Sequence, residues 1–178
     1  MKNLCMVGVL LALQGFSASI LAQTPPPDRW QALNFLLGTW AANVQGGSAG
    51  ASSNGLYAFE LELKRHVLAR VYAGPVNCVA PVSQTFDCQH SDLLYIYQEG
   101  DGQPFKAIYL DNEGHVIHYD VSTPDATTAV FLSAASATGP QFRLIYQRKN
   151  STMSGKFQMR MPGQTDWKSY LEWSGEKQ

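Results

Sequence analysis

Arg70 is the residue whose type and position could do the most chemistry. If Lys64-Arg65 forms a two-residue turn, Leu63 opposes His66, Leu61 opposes Leu68, Phe59 opposes Arg70 and Tyr57 opposes Tyr72. The alternate face then carries Glu60 and Glu62, and a face with two glutamates is the solvent side. Arg70 and Tyr72 accordingly point inward with Phe59 and Leu61. A cation in an apolar interior needs a partner, because leaving it unpaired costs several kcal/mol. The sequence offers two: an internal carboxylate such as Glu172, which makes Arg70 structural, or the carboxylate of a ligand.

The other chemical groups point to less. His115 and His118 are three apart on one strand, so their side chains leave from opposite faces and cannot chelate one metal without a bulge. His118 shares a face with Asp120, and His90 with Asp92, but two ligands are too few for a specific site, so no metal is expected. His118 reads as a surface or sheet-packing imidazole, and Asp111 with His115 as a pair at a rim. No G-x-S-x-G elbow occurs, and the glycine- and serine-rich run from Gly46 to Gly55 lacks the Gly-Lys-Ser/Thr of a phosphate loop. That run reads as a flexible connection between two strands, placed to act as a lid over a barrel mouth. With no catalytic constellation, the chain is read as a binding protein and not an enzyme.

The elements that must position these groups are short strands. After Asp28, a plausible cap, Trp30, Leu33, Leu36 and Leu37 fall at helical spacing and predict one short amphipathic helix. From Thr39 onward, runs rich in Tyr, Val, Ile and Phe alternate with Gly, Asn, Asp or Pro. The predicted strands are Thr39–Gln45, Gly55–Leu63, His66–Ala73, Leu93–Gln98, Phe105–Leu110, His115–Ser122, Ala129–Ala134, Gln141–Arg148, Gly155–Met161 and Trp167–Trp173. Ten strands joined by hairpin-length links predict an all-β, antiparallel up-and-down barrel, which removes edge strands by closing on itself. The helix is expected to cover one end.

A second hairpin fixes its own register. With Gly114 at a left-handed position in a three-residue loop, Asp111 opposes His115, Tyr109 opposes Ile117, Ala107 opposes Tyr119 and Phe105 opposes Val121. Tyr109 and Tyr119 are placed inside. Alternation likewise puts Phe142, Leu144 and Tyr146 inward against Arg143 and Gln147, and Phe157, Met159 and Met161 inward against Lys156, Gln158 and Arg160. In Leu93–Gln98 both faces are apolar, so that strand has no orientation from its pattern.

Composition sets the outer bounds. The chain has 178 residues, 45% hydrophobic and 15% charged, with 13 Lys plus Arg against 14 Asp plus Glu, so no basic excess exists to neutralise phosphates. Nucleic acid is not an expected partner. Residues 1–22 have the parts of a secretory signal: Lys2, the apolar run Leu4 to Leu13, and small residues leading to Ala22. Residues 23–27, with Pro25, Pro26 and Pro27, read as a stiff extended leader, and 28–178 as one barrel domain. The run is too short to span a bilayer, so no transmembrane segment remains after cleavage, and the mature protein is expected in the periplasm or secreted, as a monomer. Cleavage removes Cys5 and leaves Cys78 and Cys88, an even pair in an oxidising compartment that reads as a structural disulfide.

The segment Phe35-Leu36-Leu37-Gly38-Thr39-Trp40 resembles the start of the calycin group, which includes lipocalins, fatty-acid-binding proteins and nitrobindin-type haem barrels. The longer Phe-Leu-x-Gly-Thr-Trp form is most similar to nitrobindin and to exported bacterial domains of unknown function, as is the stretch from Ala107 to Tyr119. The resemblance implies a barrel interior that holds a small hydrophobic or amphipathic ligand, with Trp40 plugging the closed end. The Arg-x-Tyr face of fatty-acid-binding barrels suggests by analogy that Arg70 anchors a ligand carboxylate, and the expected lining, with the inward residues of the strands, is Trp40, Phe59, Arg70, Tyr72, Tyr109, Tyr119, Tyr146 and Met159. No cofactor is required by the sequence. A nitrobindin-type haem site implies a proximal His near the C-terminus, whereas the last His here is His118. Haem or another tetrapyrrole therefore stands as the alternative ligand, held by an atypical axial group. A barrel filled by its own side chains is the other alternative.

Overall fold

The computed structural model describes residues 28–46, 52–72, 77–78 and 91–178, with backbone alone at 45–46, 52–54, 72 and 77–78. Residues 1–27, with the expected export segment and proline leader, lie outside the described residues. So does Cys88, and with it the expected Cys78–Cys88 bond. The chain forms a 3₁₀ helix, Gln31–Leu36, then β1 (Gly38–Gly46), β2 (Ser52–Glu62), β3 (Val67–Tyr72), β4 (Asn77–Cys78) and β5 (Asp92–Gln98). There follow β6 (Phe105–Asp111), β7 (Val116–Asp125), β8 (Thr128–Ser133), β9 (Gln141–Lys149), β10 (Thr152–Arg160) and β11 (Lys168–Glu176). All ladders are antiparallel, and β1 pairs with both β2 and β11, so the sheet closes into a ten-stranded barrel; two-residue β4 continues the ladder of β3 along β2.

The helix takes 3₁₀ geometry for a reason visible in its sequence. Trp30, Leu33 and Leu36 recur every third residue, and all three are fully buried, as a three-residue turn requires. Asp28 accepts a bond from the Trp30 backbone N–H at 3.1 Å and one from Asn34 Nδ2 at 3.1 Å, tying down the start. Gly38 then leaves the helix at φ +111°, a conformation that favours glycine. Two residues on, Trp40 is buried under the barrel and its indole N–H donates to the Leu36 carbonyl at 2.7 Å. The Gly-x-Trp pattern is thus a bend followed by a plug, and the helix covers one end as expected.

Both hairpin registers hold. Tyr57 pairs with Tyr72, Phe59 with Arg70 and Leu61 with Leu68; Tyr109 pairs with Ile117 and Ala107 with Tyr119. Gly114 sits at φ +90°. The first turn differs from expectation. It is not the pair Lys64-Arg65 but the four residues Leu63 to His66, with Leu63, Lys64 and Arg65 all in the left-handed region at φ 48°, 55° and 68°. Such residues cost roughly 1–2 kcal/mol each. The contacts that hold them are the Trp30 indole N–H donating to the Arg65 carbonyl at 2.7 Å and the His66 N–H donating to the Glu62 carbonyl at 3.0 Å. The glycine- and serine-rich connection is also shorter than expected, because residues 52–55 pair with β1 and extend β2.

Burial is deepest next to the helix and shallower toward the opposite end, although Leu37, Leu61 and Phe105 at the helix-covered end are also only partly buried. Beneath the sheet and next to the helix, Phe59, Leu68, Ile96, Phe131 and Met153 are at most 1% exposed. Toward the opposite end Val44, Tyr109, Ile117, Phe142, Phe157 and Leu171 pack against this core but remain half-buried. Met161, expected to point inward, lies past the end of β10 and is 44% exposed, because alternation stops where the ladder stops. Pairing with β3 orients β5: Leu68 faces Ile96 and Arg70 faces Leu94, so Leu94 and Ile96 are buried while Tyr95 and Tyr97 face out.

Candidate functional site

Strand pairing across β2, β3, β5, β6, β7 and β9 gathers Arg70 and a group of phenols inside the barrel. Arg70 donates from Nη2 to Asp92 Oδ1 at 2.5 Å, with side-chain exposures of 12% and 25%. Asp92 shares the inward face of β5 with Leu94, which opposes Arg70, so the ion pair is diagonal across neighbouring strands. The internal carboxylate is therefore Asp92 and not Glu172. Glu172 alternates with inward Leu171 and Trp173, faces outward, and is held by Lys156 at 3.3 Å and Ser169 at 2.6 Å.

Around Arg70 stand Tyr57, Tyr109, Tyr119 and Tyr146. Tyr146 is fully buried, with its ring 5.2 Å from Phe59, 5.5 Å from Trp173, 6.0 Å from Phe131 and 6.1 Å from Tyr57. Gly155, opposite Tyr146, makes room for this packing, since a Cβ there would lie 2.0 Å from the Trp173 ring. Burial pushes the Tyr146 hydroxyl up to about 12, against the opposing pull of Arg70. Burial likewise raises Tyr57, Tyr109 and Tyr119, and Arg70 pulls each of them down. Burial works against the Arg70 charge, yet the Asp92 carboxylate outweighs it and holds the guanidinium protonated. Among the described residues the buried Tyr57 hydroxyl, Tyr146 hydroxyl and Arg70 Nε have no hydrogen-bond partner.

The structure thus brings Phe59, Arg70, Tyr109, Tyr119 and Tyr146 to one interior. Trp40 lies at the helix-covered end, fully buried, and Met159 is half-buried on β10 opposite Phe142. Tyr72 opposes Tyr57 in register, and its side chain lies outside the described ones. Asp92 and Trp173 escaped the sequence reading. Asp92 shares the even-numbered face with Leu94 and Ile96, so orienting that strand would have placed it inside. Trp173 shares a face with Leu171, a pattern that strand alternation could have used.

Neither a scan of protein-family models nor a search of curated proteins finds a match to this chain. Of the remaining candidates, Asp111 and His115 do form a pair at 2.8 Å on the β6–β7 turn. Glu113 joins them, the three offering ligand atoms within 4.8 Å of one another. The Asp111 carboxylate already accepts the N–H groups of Glu113 and His115 and the His115 ring, so the cluster is accounted for as the lock of a tight turn. His118 faces outward and is exposed, as is Asp120; His90 lies outside the described residues.

Proposed function

We propose that this chain is an exported, monomeric, non-catalytic barrel of calycin type that binds a small amphipathic molecule in its interior. The observation that carries the reading is that, among the described residues, Tyr57 OH, Tyr146 OH and Arg70 Nε are buried inside the barrel without a well-formed hydrogen bond, although Tyr146 lies within reach of Arg70 and Tyr57 within reach of Trp173. A buried donor left unmade costs about 1–3 kcal/mol, so such donors within one barrel interior favour an oxygen-bearing head group there. The half-buried apolar ring toward the end opposite the helix supports a hydrophobic body lying along the barrel. The Arg70–Asp92 pair leaves this compatible, because Asp92 engages Nη2 while Nε is unpartnered. Among the described residues no helix is long and apolar enough to cross a membrane.

The test is native mass spectrometry and absorption on protein isolated from its own compartment, followed by titration with a fluorescent polyene fatty acid. The expected result is bound mass without a Soret band, and saturable binding weakened about tenfold by Tyr146→Phe, the loss of one hydrogen bond to a charged group. A Soret band would assign a tetrapyrrole instead. No bound mass, no saturable binding and a Tyr146→Phe variant more stable than wild type would mean a barrel filled by its own side chains.

A further inference from the structure

The outer wall of β9, β10 and β11 carries a second arrangement, separate from the interior. Along the β10–β11 ladder Phe157 pairs with Leu171, but Gln158 pairs with Ser169, so Tyr170 is an extra residue in β11. One added residue reverses the alternation for everything before it. Trp167 is thereby turned to the outer face, where the Arg143 guanidinium lies 4.2 Å and the Arg160 guanidinium 4.7 Å from its ring centre.

Both arginines are fixed by neutral acceptors. Arg143 donates from Nε and Nη2 to Gln158 Oε1 at 3.0 and 2.7 Å. Arg160 donates from Nη2 to Gln141 Oε1 at 2.6 Å, and Gln141 is itself locked by donating to the Ser133 carbonyl at 2.8 Å. Among the described residues neither guanidinium has a carboxylate within ion-pair distance. Glu172 is taken by Lys156 and Ser169, and Asp166 accepts from Thr165. Two like charges therefore share one indole with nothing to neutralise them, and burial followed by the Arg160 charge holds Arg143 below its ordinary value. Rigid, half-buried arginines that retain unused N–H groups and lack a counter-charge are preorganised for an anion.

We propose that Arg143, Arg160 and Trp167 form an oxyanion site on the outer wall, taking the terminal group of a phosphate or sulfate monoester. A carboxylate fills one guanidinium fork, whereas a tetrahedral group offers enough oxygens to bridge Arg143 Nη1 and the Nε and Nη1 of Arg160. The indole holds both cations in place and excludes water from one side of the pair.

The experiment is a nitrogen-15 NMR titration of the full chain with inorganic phosphate and with inorganic sulfate at constant ionic strength, following the Trp167 indole and the arginine Nε signals. Saturable shifts at Trp167, Arg143 and Arg160 are expected, with Arg143→Gln and Arg160→Gln each weakening binding by at least about tenfold. Arg148→Gln, on the same strand but bonded to the Asn150 carbonyl, should leave the affinity unchanged. Sedimentation with phosphatidylcholine vesicles containing phosphatidic acid then identifies the source. Arginine-dependent pelleting assigns a lipid head group, and saturable binding of the free anions without pelleting assigns a soluble ester. Shifts that rise linearly without saturation, or an equal loss in Arg148→Gln, overturn the site. Because the wild-type titration is itself decisive, the proposal stands or falls even if a variant does not fold.

Discussion

Cutting the Arg70–Asp92 pair one partner at a time should be far more damaging than removing both. Arg70 is 12% exposed, so Asp92→Leu leaves a cation almost wholly out of water, with the phenols of Tyr146 and Tyr109 near it. Breaking a buried pair from one side costs about 3–5 kcal/mol. Arg70→Met leaves the Asp92 carboxylate, which is 25% exposed and partly hydrated, so its cost belongs at the lower end, about 3 kcal/mol. The double variant replaces both charges by apolar groups of similar length and should lie within about 1 kcal/mol of wild type, giving a coupling of several kcal/mol. Urea unfolding measures each value, with an unchanged m confirming that the unfolded ensemble is comparable. For a domain of this size about 3 kcal/mol corresponds to roughly 6–12 °C in Tm. Additive single effects, or single losses under about 1 kcal/mol, would refute the pair as the pivot of the interior.

Gly155→Ala places a methyl group against the Trp173 ring, and the cost should be about 1–3 kcal/mol or more, with Trp173 displaced from Tyr146 and the near-ultraviolet circular dichroism weakened. Native-like spectra and stability would contradict the packing described. Stability should also fall in alkali. Tyr146 ionises near 10.0 when unfolded but only at about 12 when folded, so its contribution is intact below 10 and disappears as pH rises toward 12. Tyr57, Tyr109 and Tyr119 are raised too and act in the same sense. An ultraviolet titration in which these phenols ionise near their ordinary value while the fold persists would show that they are not buried as described.

The architecture was legible because strand and turn chemistry agree along most of the chain. Alternation with Gly114 at the turn fixed the β6–β7 register, and Glu60 with Glu62 fixed the solvent face of β2. The interior was legible as far as Phe59 and Tyr146, which alternate with polar Glu60 and Gln147, and Arg70, which the hairpin register sets opposite Phe59. What escaped depends on partners distant in sequence. Asp92 meets Arg70 only after β5 is laid against β3, and no local pattern gives that pairing. Tyr170, the extra residue opposite Gln158, is equally silent, yet it decides that Trp167 joins two arginines on the outside instead of the core. The Leu63–His66 turn contradicted the usual choice of glycine or asparagine, because a remote indole supplies the bond that holds it.

The seam between β1 and β11 has a consequence for the order of events at birth. Asn43–Gly46 pair with Leu171–Ser174, and the Trp40–Lys177 bridge lies just beyond, where the backbones run so close that a Cβ on Gly175 would strike the Ala41 carbonyl. The ring joins its first strand to its last, so during synthesis it stays an unrolled sheet with two free edges until the final strand has emerged. Contacts of such long sequence separation form slowly, and free edges invite pairing with other chains. A chain with this topology keeps both edges of its sheet open until the last strand pairs with the first.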